Sequence, residues 1–182
     1  MHKGRIFIAK KTLALLEKKT WDKIKLNNIL EGQHTQLFKT KNDALININK
    51  YFDFLLQQNL SSLEKSSTKD MLFEVLMARL DILNIHRKSI KNLLNFFIYK
   101  PHESLRLIPS LINSVILIAT YAGINVSSVQ GILKVKSIFI LYILIIFTWY
   151  NDETYSLERT MTTLDKYLNN IDKFLKLIYG NK

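Results

Sequence analysis

The sequence predicts an all-α protein, and two observations carry that prediction. Only 5 of the 182 residues are Gly and 2 are Pro, which leaves too little turn chemistry for a many-stranded sheet. Along most of the chain, apolar residues recur at intervals of three and four, which is the period of an amphipathic helix. The length suits one domain, or one domain with a small appendage, and is sufficient to bury a sizeable core without disulfide bonds.

Composition excludes several classes of protein. With 48% hydrophobic and 23% charged residues, the chain is globular, and disordered and fibrous classes are excluded. It contains no cysteine, which excludes disulfide scaffolds, thiol nucleophiles, iron–sulfur clusters and cysteine-ligated zinc. The net charge of +11 favours an acidic partner, either nucleic acid or the anionic face of a membrane. The alternative is that the lysines only solvate helix surfaces.

The N-terminal region is predicted to contain an amphipathic helix followed by a short one. The first helix, over 5–19, has lysines on one face and on the other a set of apolar residues spaced 3, 4 and 3 apart: Ile6, Ala9, Leu13 and Leu16. Trp21 follows this helix. Leu26 and Ile29 then indicate a second, short helix that ends at Gly32.

A long third helix is predicted over 43–63. Thr40 or Asn42 can cap its start. Its apolar face is formed by Leu45, Ile48, Tyr51, Phe52 and Leu55. The serine- and threonine-rich stretch 61–69 is the most loop-like part of the chain, so we expect a hinge there between an N-terminal segment and the rest.

Two further helices are predicted over 71–83 and 86–99. Pro101 ends the second of them, and Pro109 starts or kinks the next helix, because proline lacks the amide hydrogen that a helix interior needs. Helices throughout the chain therefore predict a helical bundle.

Two uncharged stretches, 107–133 and 137–150, raise the question of membrane spanning. Polar residues interrupt the first and leave an apolar run over 111–124, whereas a span needs about twenty apolar residues. Both stretches are interpreted as helices buried in a bundle, with membrane insertion as the alternative. Because 138–149 is apolar all round, it must be covered by its own domain, a partner subunit or lipid.

The C-terminal segment carries a heptad pattern that predicts helix packing. Its apolar residues step by 4, 3, 4, 3, 4 and 3: Leu157, Met161, Leu164, Leu168, Ile171, Leu175 and Ile178. This seam can meet its own bundle or a second copy of the chain. We expect a homodimer, because the preceding helix also has apolar surface to spare.

The sequence offers no residue on which to build an enzyme. It lacks a glycine-rich phosphate loop, a His-Glu-x-x-His motif and a Gly-x-Ser-x-Gly motif. The histidines are not spaced for a helical metal site: His2, His34, His86 and His102. Asp152 and Glu153 lie just before a helix start, where the helix dipole favours negative charge, so their interpretation is structural. We expect no catalytic residue, no metal and no cofactor.

The N-terminal apolar pattern is followed by a short motif of its own. The relevant residues are Ile6, Ala9, Leu13, Leu16, Trp21, Leu26 and Ile29, then Phe38-Lys39-Thr40-Lys41 and Leu45. They resemble the helix-turn-helix of the TetR family of bacterial regulators, including its Phe-x-x-Lys-x-x-x-Leu ending. The resemblance implies a TetR-like multi-helix bundle, in which a short three-helix segment precedes a larger helical domain for ligand binding and dimerisation.

A second set of spaced residues covers the C-terminal two thirds. It comprises Met77-Ala78-Arg79-Leu80-Asp81, His86-Arg87, Pro101, Leu105-Arg106-Leu107, 149–152, Thr154, Thr160, Leu164-Asp165-Lys166 and Leu168. This set is similar to the coenzyme Q accessory lipid-binding family, a ubiquinone-biosynthesis branch of the TetR fold. The resemblance implies a dimer without catalysis of its own that binds an isoprenoid lipid or quinone intermediate. It also implies contact with membranes and with a quinone-modifying hydroxylase.

One departure from the TetR pattern distinguishes these two branches. Only nine positions separate Ile29 from Phe38, where TetR-type sequences need room for a turn and a recognition helix. The segment 33–38 makes at most about 9 Å of helix, too short to place several side chains in a major groove. It also contains no Arg or Lys before Phe38 to contact a base or phosphate.

Lipid binding in ubiquinone biosynthesis is therefore the main hypothesis, and a ligand-responsive TetR-type DNA-binding regulator is the alternative. Residues 1–50 form the degenerate helix-turn-helix-like segment, and 51–182 form the lipid-binding and dimerisation domain. The isoprenoid tail is expected among Leu94, Phe97, Leu111, Val115, Ile118, Phe139, Tyr142, Ile146 and Trp149. Anionic headgroups, or non-specific phosphates, are expected against Lys10, Lys11, Lys18, Lys19, Lys23, Lys25, Lys39 and Lys41.

These hypotheses also set the expected location and partners. Sequence-specific DNA binding is not expected under the main hypothesis. The expected location is the cytoplasm, peripheral on the inner face of a bacterial membrane. A helical interaction protein that has no ligand of its own is a third hypothesis.

Overall fold

The structure is a computed structural model that describes residues 1–30, 38–60 and 66–179, with side chains as far as residue 170. The described residues are helical and contain no strand, which confirms the all-α prediction. In order, the helices are α1 (Lys3–Lys18), α2 (Leu26–Ile29), α3 (Lys41–Asn59), α4 (Thr68–Ile85), α5 (Arg87–Tyr99), α6 (Pro101–Ser104), α7 (Ile108–Tyr121), α8 (Val129–Asn151) and α9 (Glu158–Tyr179). Short 3₁₀ turns lie at Trp21–Lys23 and Leu105–Leu107.

Capping residues explain where the first long helices begin. His2 precedes α1, and its Nδ1 accepts a hydrogen bond from the Gly4 amide at 3.3 Å. Thr40 caps α3: its hydroxyl accepts from the Asp43 amide at 3.3 Å, while Asp43 accepts from the Thr40 amide at 2.8 Å. Of the two predicted caps, Thr40 is the one used, because the reciprocal pair satisfies two amides at once. Helix α3 ends at Asn59, earlier than the predicted residue 63.

The chain divides into two compact units. Unit 1 comprises Met1–Ser61 and Asp81–Ser114, and unit 2 comprises Ser62–Leu80 and Val115–Lys182. One boundary lies between residues 61 and 62, in the part of the predicted hinge 61–69 that is outside the described residues, and the others fall within α4 and within α7.

In unit 1, α1 packs against α3 and α5. Three of the four predicted face residues of α1 are buried, whereas Ile6 is half-buried and Ile8 is fully buried. Side chains also bond directly to the α1 backbone. Asn47 donates to the Arg5 carbonyl, Ser89 to the Leu13 carbonyl and Asn92 to the Leu16 carbonyl, each at 2.8 Å. These bonds fix how α3 and α5 sit on α1, because each satisfies a specific backbone carbonyl.

In unit 2, α8 packs against α9 with one of its faces. The buried face of α8 comprises Gly131, Val135, Ile138, Leu141, Tyr142, Ile145 and Trp149. A second face is exposed and mostly apolar apart from Lys136, and we call its apolar residues the α8 stripe: Val129, Ile132, Leu133, Ile140, Leu144 and Phe147. The described residues thus cover only part of the segment 138–149, which was expected to be covered on every side.

The start of α9 is held by one buried carboxylate. Oδ1 of Asp152 accepts from the amide and hydroxyl of Thr154 at 3.1 and 2.6 Å, and Oδ2 accepts from those of Thr160, both at 2.7 Å. The hydroxyl of Thr154 in turn accepts from the Glu158 amide at 3.0 Å. We call Asp152, Thr154 and Thr160 the α9 knot. The structural interpretation of Asp152 therefore has a concrete basis.

The predicted heptad seam is used within the chain only in part, since Met161 is 39% exposed. Leu164 and Leu168 are buried in unit 2, where α9 packs against α8. Leu157 is also buried, but it precedes α9 and has a left-handed backbone with φ 56°, so the helical seam begins later than predicted. The side chains of the last three seam residues lie outside the described set.

By length and apolar composition, two helical stretches could cross a membrane: Pro101–Tyr121 and Val129–Asn151. The first joins α6, the turn after it and α7, and the second is α8. A core helix of a soluble protein passes the same test, so this finding is weak evidence for a span.

Candidate functional site

The predicted cationic residues lie on or beside the first three helices of unit 1. Six of the eight are exposed: Lys10, Lys18, Lys19, Lys23, Lys25 and Lys39. Lys11 and Lys41 are only half-exposed. The exposed set can meet phosphates or anionic headgroups, because nothing in the described residues covers it.

Lys41, which is only half-exposed, contacts another residue of the protein, Trp21. Its ammonium lies 4.3 Å from the centre of the Trp21 ring and donates to the Trp21 backbone carbonyl. Partial burial lowers the pKa of Lys41, and the nearby carboxylates Asp22 and Glu103 oppose that effect. The cation therefore ties the turn before α2 to the start of α3.

The helix-turn-helix region is described only in part. Helix α2 spans a single turn, Leu26–Ile29. The segment 31–37, where a recognition helix would have to lie, is outside the described residues, so its predicted shortness stays a prediction. After this segment, Phe38 is buried, and the Arg5 guanidinium lies 5.3 Å from the centre of its ring. The sequence pattern identified Phe38 but gave no sign of Arg5, which is distant in sequence.

The residues predicted to line a lipid pocket are divided between the two units. Leu94, Phe97 and Leu111 belong to unit 1 and are half-buried. The other six belong to unit 2: Val115, Ile118, Phe139, Tyr142, Ile146 and Trp149. Among these, Val115, Ile118 and Trp149 have no exposed surface. Protein atoms pack around them, so a ligand would reach these side chains only by displacing neighbours.

Unit 2 also buries a cation that the sequence pattern did not assign to a site. Arg79 is fully buried on α4, and its Nε donates to the Tyr142 hydroxyl at 3.4 Å. Its position in the apolar run of α4 is the signal that could have revealed it, because a charged residue on a buried helix face has a specific partner.

Unit 1 contains an open depression of about 350 Å³ between α1 and α3. It is lined by Met1, Arg5, Lys50, Asp53, Phe54 and Gln57. The Oδ2 atom of Asp53 accepts a hydrogen bond from the Ser114 hydroxyl at 2.9 Å, which orients this carboxylate. Periodicity could not find this depression, because its residues come from two helices that only the fold brings together.

The described histidines and carboxylates do not form a metal site. Among them, no group of three or more metal-ligating side chains lies close enough to hold an ion. His86 instead packs between two rings of α3, with ring centres 6.4 Å from Tyr51 and 5.8 Å from Phe52. Burial lowers the pKa of His86, as expected for an imidazole among aromatic rings.

The sequence matches no known family profile and no curated protein. The fold is similar to that of the TetR transcriptional regulator from Nitrosomonas europaea ATCC 19718, with a TM-score of 0.73 and 16% identity. The similarity covers 93% of this chain and 98% of that chain. The narrower resemblance to the coenzyme Q accessory family finds no support in these comparisons. Because the identity is only 16%, the similarity shows the fold alone: the chain has a TetR-like helical fold.

Proposed function

We propose that this protein is a ligand-responsive DNA-binding regulator of the TetR type, with no catalysis of its own. The observation that carries the proposal is the fold similarity, which extends over almost the full length of both chains and whose other member is a TetR transcriptional regulator. The regulator, which was the alternative hypothesis from the sequence, is therefore the main proposal, and lipid binding becomes the second.

The charge of the N-terminal segment supports contact with phosphates. Lys23, Lys25 and Lys39 are exposed around α2 and just before α3. Each such contact releases counterions from the duplex, so affinity falls steeply as salt is raised. Because phosphate contacts carry no sequence information, base selection would depend on the segment 31–37.

A second copy of the chain would cover the α8 stripe. Ile140 is 60% exposed, Leu144 45% and Phe147 53%, and a stripe of this kind on one helix suits an isologous contact. Replacing Ile140 and Leu144 by Glu would place charges in the centre of that contact. We expect the dimer to become a monomer in sedimentation velocity. The control Lys134→Glu, at an exposed position of α8 outside the stripe, changes the net charge by the same amount and should remain a dimer; equal behaviour of the two variants would count against this interface.

The DNA proposal is tested by binding to duplexes at several salt concentrations. The wild type should prefer DNA from upstream of its own coding sequence over a random duplex. Lys39→Ala should reduce the slope of log affinity against log salt by about 1. Lys134→Ala, an exposed lysine of unit 2, provides the matched control and should leave the slope unchanged. Equal affinity for both duplexes would remove the regulator proposal.

Lipid binding in ubiquinone biosynthesis remains a second candidate, because α2 is only one turn long and leaves little helix to support operator recognition. Under this proposal, the isoprenoid tail lies among the predicted pocket residues of unit 2. Protein expressed in a quinone-making host should then carry a lipid or quinone that mass spectrometry detects. Ala at Phe139, which is half-buried and therefore reachable, should reduce its amount, whereas Ala at the exposed Tyr155 should not. A protein free of lipid, together with sequence-selective DNA binding, would decide for the regulator.

A further inference from the structure

The segment 98–106 of unit 1, which we call the tip, holds large apolar side chains in water. Ile98 is 56% exposed, Tyr99 85% and Leu105 60%. None of the side chains of α6, at the centre of the tip, is buried. Apolar groups grouped in this way, rather than scattered singly, mark a surface that binds something.

Both ends of the tip are anchored in unit 1. On the N-terminal side, Leu93 of α5 is buried, and on the C-terminal side Leu107 is buried. The Lys100 amide donates to the Phe96 carbonyl at 2.9 Å, which closes the last turn of α5. Helix α5 contacts α6, and α6 contacts the turn after it. The tip is therefore a built projection of the fold.

Two cations flank these apolar groups. Within the tip, Lys100 and Arg106 accompany a single carboxylate, Glu103, whereas the three other cations of α5, at positions 87, 88 and 91, lie more than two helical turns before Tyr99. That carboxylate is partly neutralised, because the Arg106 guanidinium lies 3.7 Å from one of its oxygens. The turn that packs against α5 adds the carboxylate of Asp22 and the exposed ammonium of Lys23.

We propose that the tip docks on the surface of an anionic lipid bilayer. Ile98, Tyr99 and Leu105 enter the interfacial layer, while Lys100 and Arg106 contact lipid phosphates. An aromatic ring beside aliphatic groups and cations suits the boundary between headgroups and acyl chains. Nucleic acid would satisfy the cations but would leave the aliphatic side chains in water. This proposal does not depend on the regulator function, although Lys23 borders both surfaces.

The absence of cysteine allows a direct test, because a single introduced thiol can be labelled at one position. Tyr99→Cys, labelled with the environment-sensitive dye NBD, reports insertion of the tip. Tyr155→Cys gives the control, because Tyr155 is a tyrosine of unit 2 that is even more exposed than Tyr99. With vesicles of phosphatidylcholine and phosphatidylglycerol, we expect a blue shift and brighter emission at position 99 only. Pure phosphatidylcholine vesicles should give a much smaller signal.

Charge reversal supplies the second measurement. Lys100→Glu with Arg106→Glu should weaken binding to the anionic vesicles at least about tenfold in a flotation assay. Lys134→Glu with Lys166→Glu, two exposed lysines of unit 2 outside the α8 stripe, changes the net charge equally and should retain binding. Circular dichroism confirms that both variants fold. Equal loss in both variants, equal signals at the two labels, or no vesicle binding by the wild type would overturn the proposal. A response of the label at 99 to duplex DNA in place of vesicles would assign the tip to nucleic acid and overturn it as well.

Discussion

Both units pack helices against one another, but the polar contacts between those helices differ. In unit 1, several neutral side chains on α3 and α5 bond to backbone or hydroxyl groups of neighbouring helices. In unit 2, four hydrogen bonds converge on the Asp152 carboxylate of the α9 knot, beside single contacts such as Arg79 with Tyr142, and α8 packs through a largely apolar face. When polar contacts are distributed over several side chains, each fixes the position of one helix. When several bonds converge on one carboxylate, the loss of that residue removes all of them. The difference predicts where single substitutions should be costly.

The largest single effect is expected at Asp152. Asp152→Ala removes the acceptor of four hydrogen bonds and leaves the buried amide and hydroxyl of Thr160 without that partner. We expect the free energy of unfolding to fall by about 3 kcal/mol, measured by urea denaturation. Glu153→Ala, an exposed carboxylate next to it, should change it by less than about 0.5 kcal/mol. Similar losses at both positions would mean that the knot is not what holds α9.

Lowering the pH should reduce the stability of unit 2 more than that of unit 1, as Asp152→Ala does. Burial alone would raise the pKa of Asp152, but hydrogen bonds from Thr154 and Thr160 outweigh it and lower the pKa from 3.8 to about 2. The resulting stability, about 2 kcal/mol, is present above the unfolded-state pKa and is lost as pH falls from about 4 through about 2. Urea titrations across this range should show a drop in the wild type that is absent in Asp152→Asn. A variant with the same acid dependence as the wild type would contradict this origin.

A smaller loss is expected from any one polar contact of unit 1. The Asn49 amide donates to the Ser110 carbonyl at 3.1 Å and to the hydroxyls of Ser110 and Ser114 at 2.9 and 2.8 Å. Asn49→Ala should cost about 1–2 kcal/mol of unfolding free energy. Lys50→Ala, at the exposed neighbouring position on α3, should be close to neutral. A cost at Asn49 larger than at Asp152 would reverse the comparison between the units.

The smallest effect concerns the clamp between Trp21 and Lys41. Lys41→Ala should lower the free energy of unfolding by about 1 kcal/mol, because a half-exposed cation–π contact and a hydrogen bond to the Trp21 carbonyl are lost. Lys39→Ala should leave stability unchanged but weaken DNA binding, since Lys39 is exposed. If Lys41→Ala instead weakens DNA binding without lowering stability, Lys41 leaves Trp21 when the protein binds DNA.

Much of the helical architecture was predictable because local patterns encode it. Periodicity located α1, α3 and α9, an uncharged apolar run located the C-terminal part of α8, and Thr40 marked the start of α3. The boundaries moved by a few residues where capping decided them: α3 stops at Asn59, and Leu157 adopts a left-handed backbone before α9 begins. Local sequence is weakest at helix ends, because the partners that satisfy the last amides and carbonyls are not all local.

The functional surfaces were less accessible from sequence. The exposed lysines could be counted, but only the fold shows that Lys41 is held by Trp21 while Lys39 is not. The predicted pocket residues were chosen for apolarity alone. Apolarity does not distinguish a tightly packed core side chain such as Ile118 from one that contacts a ligand.

The sequence by itself determined the helical class, the basic character of the N-terminal segment and the apolar nature of α8, because composition and period are properties of the chain. Only the tertiary structure decided which apolar faces are covered. It buried the seam residues Leu164 and Leu168 within unit 2 and left the α8 stripe and the tip in water. The physical reason is that burial depends on which helices meet, and that is settled by contacts between residues far apart in the chain.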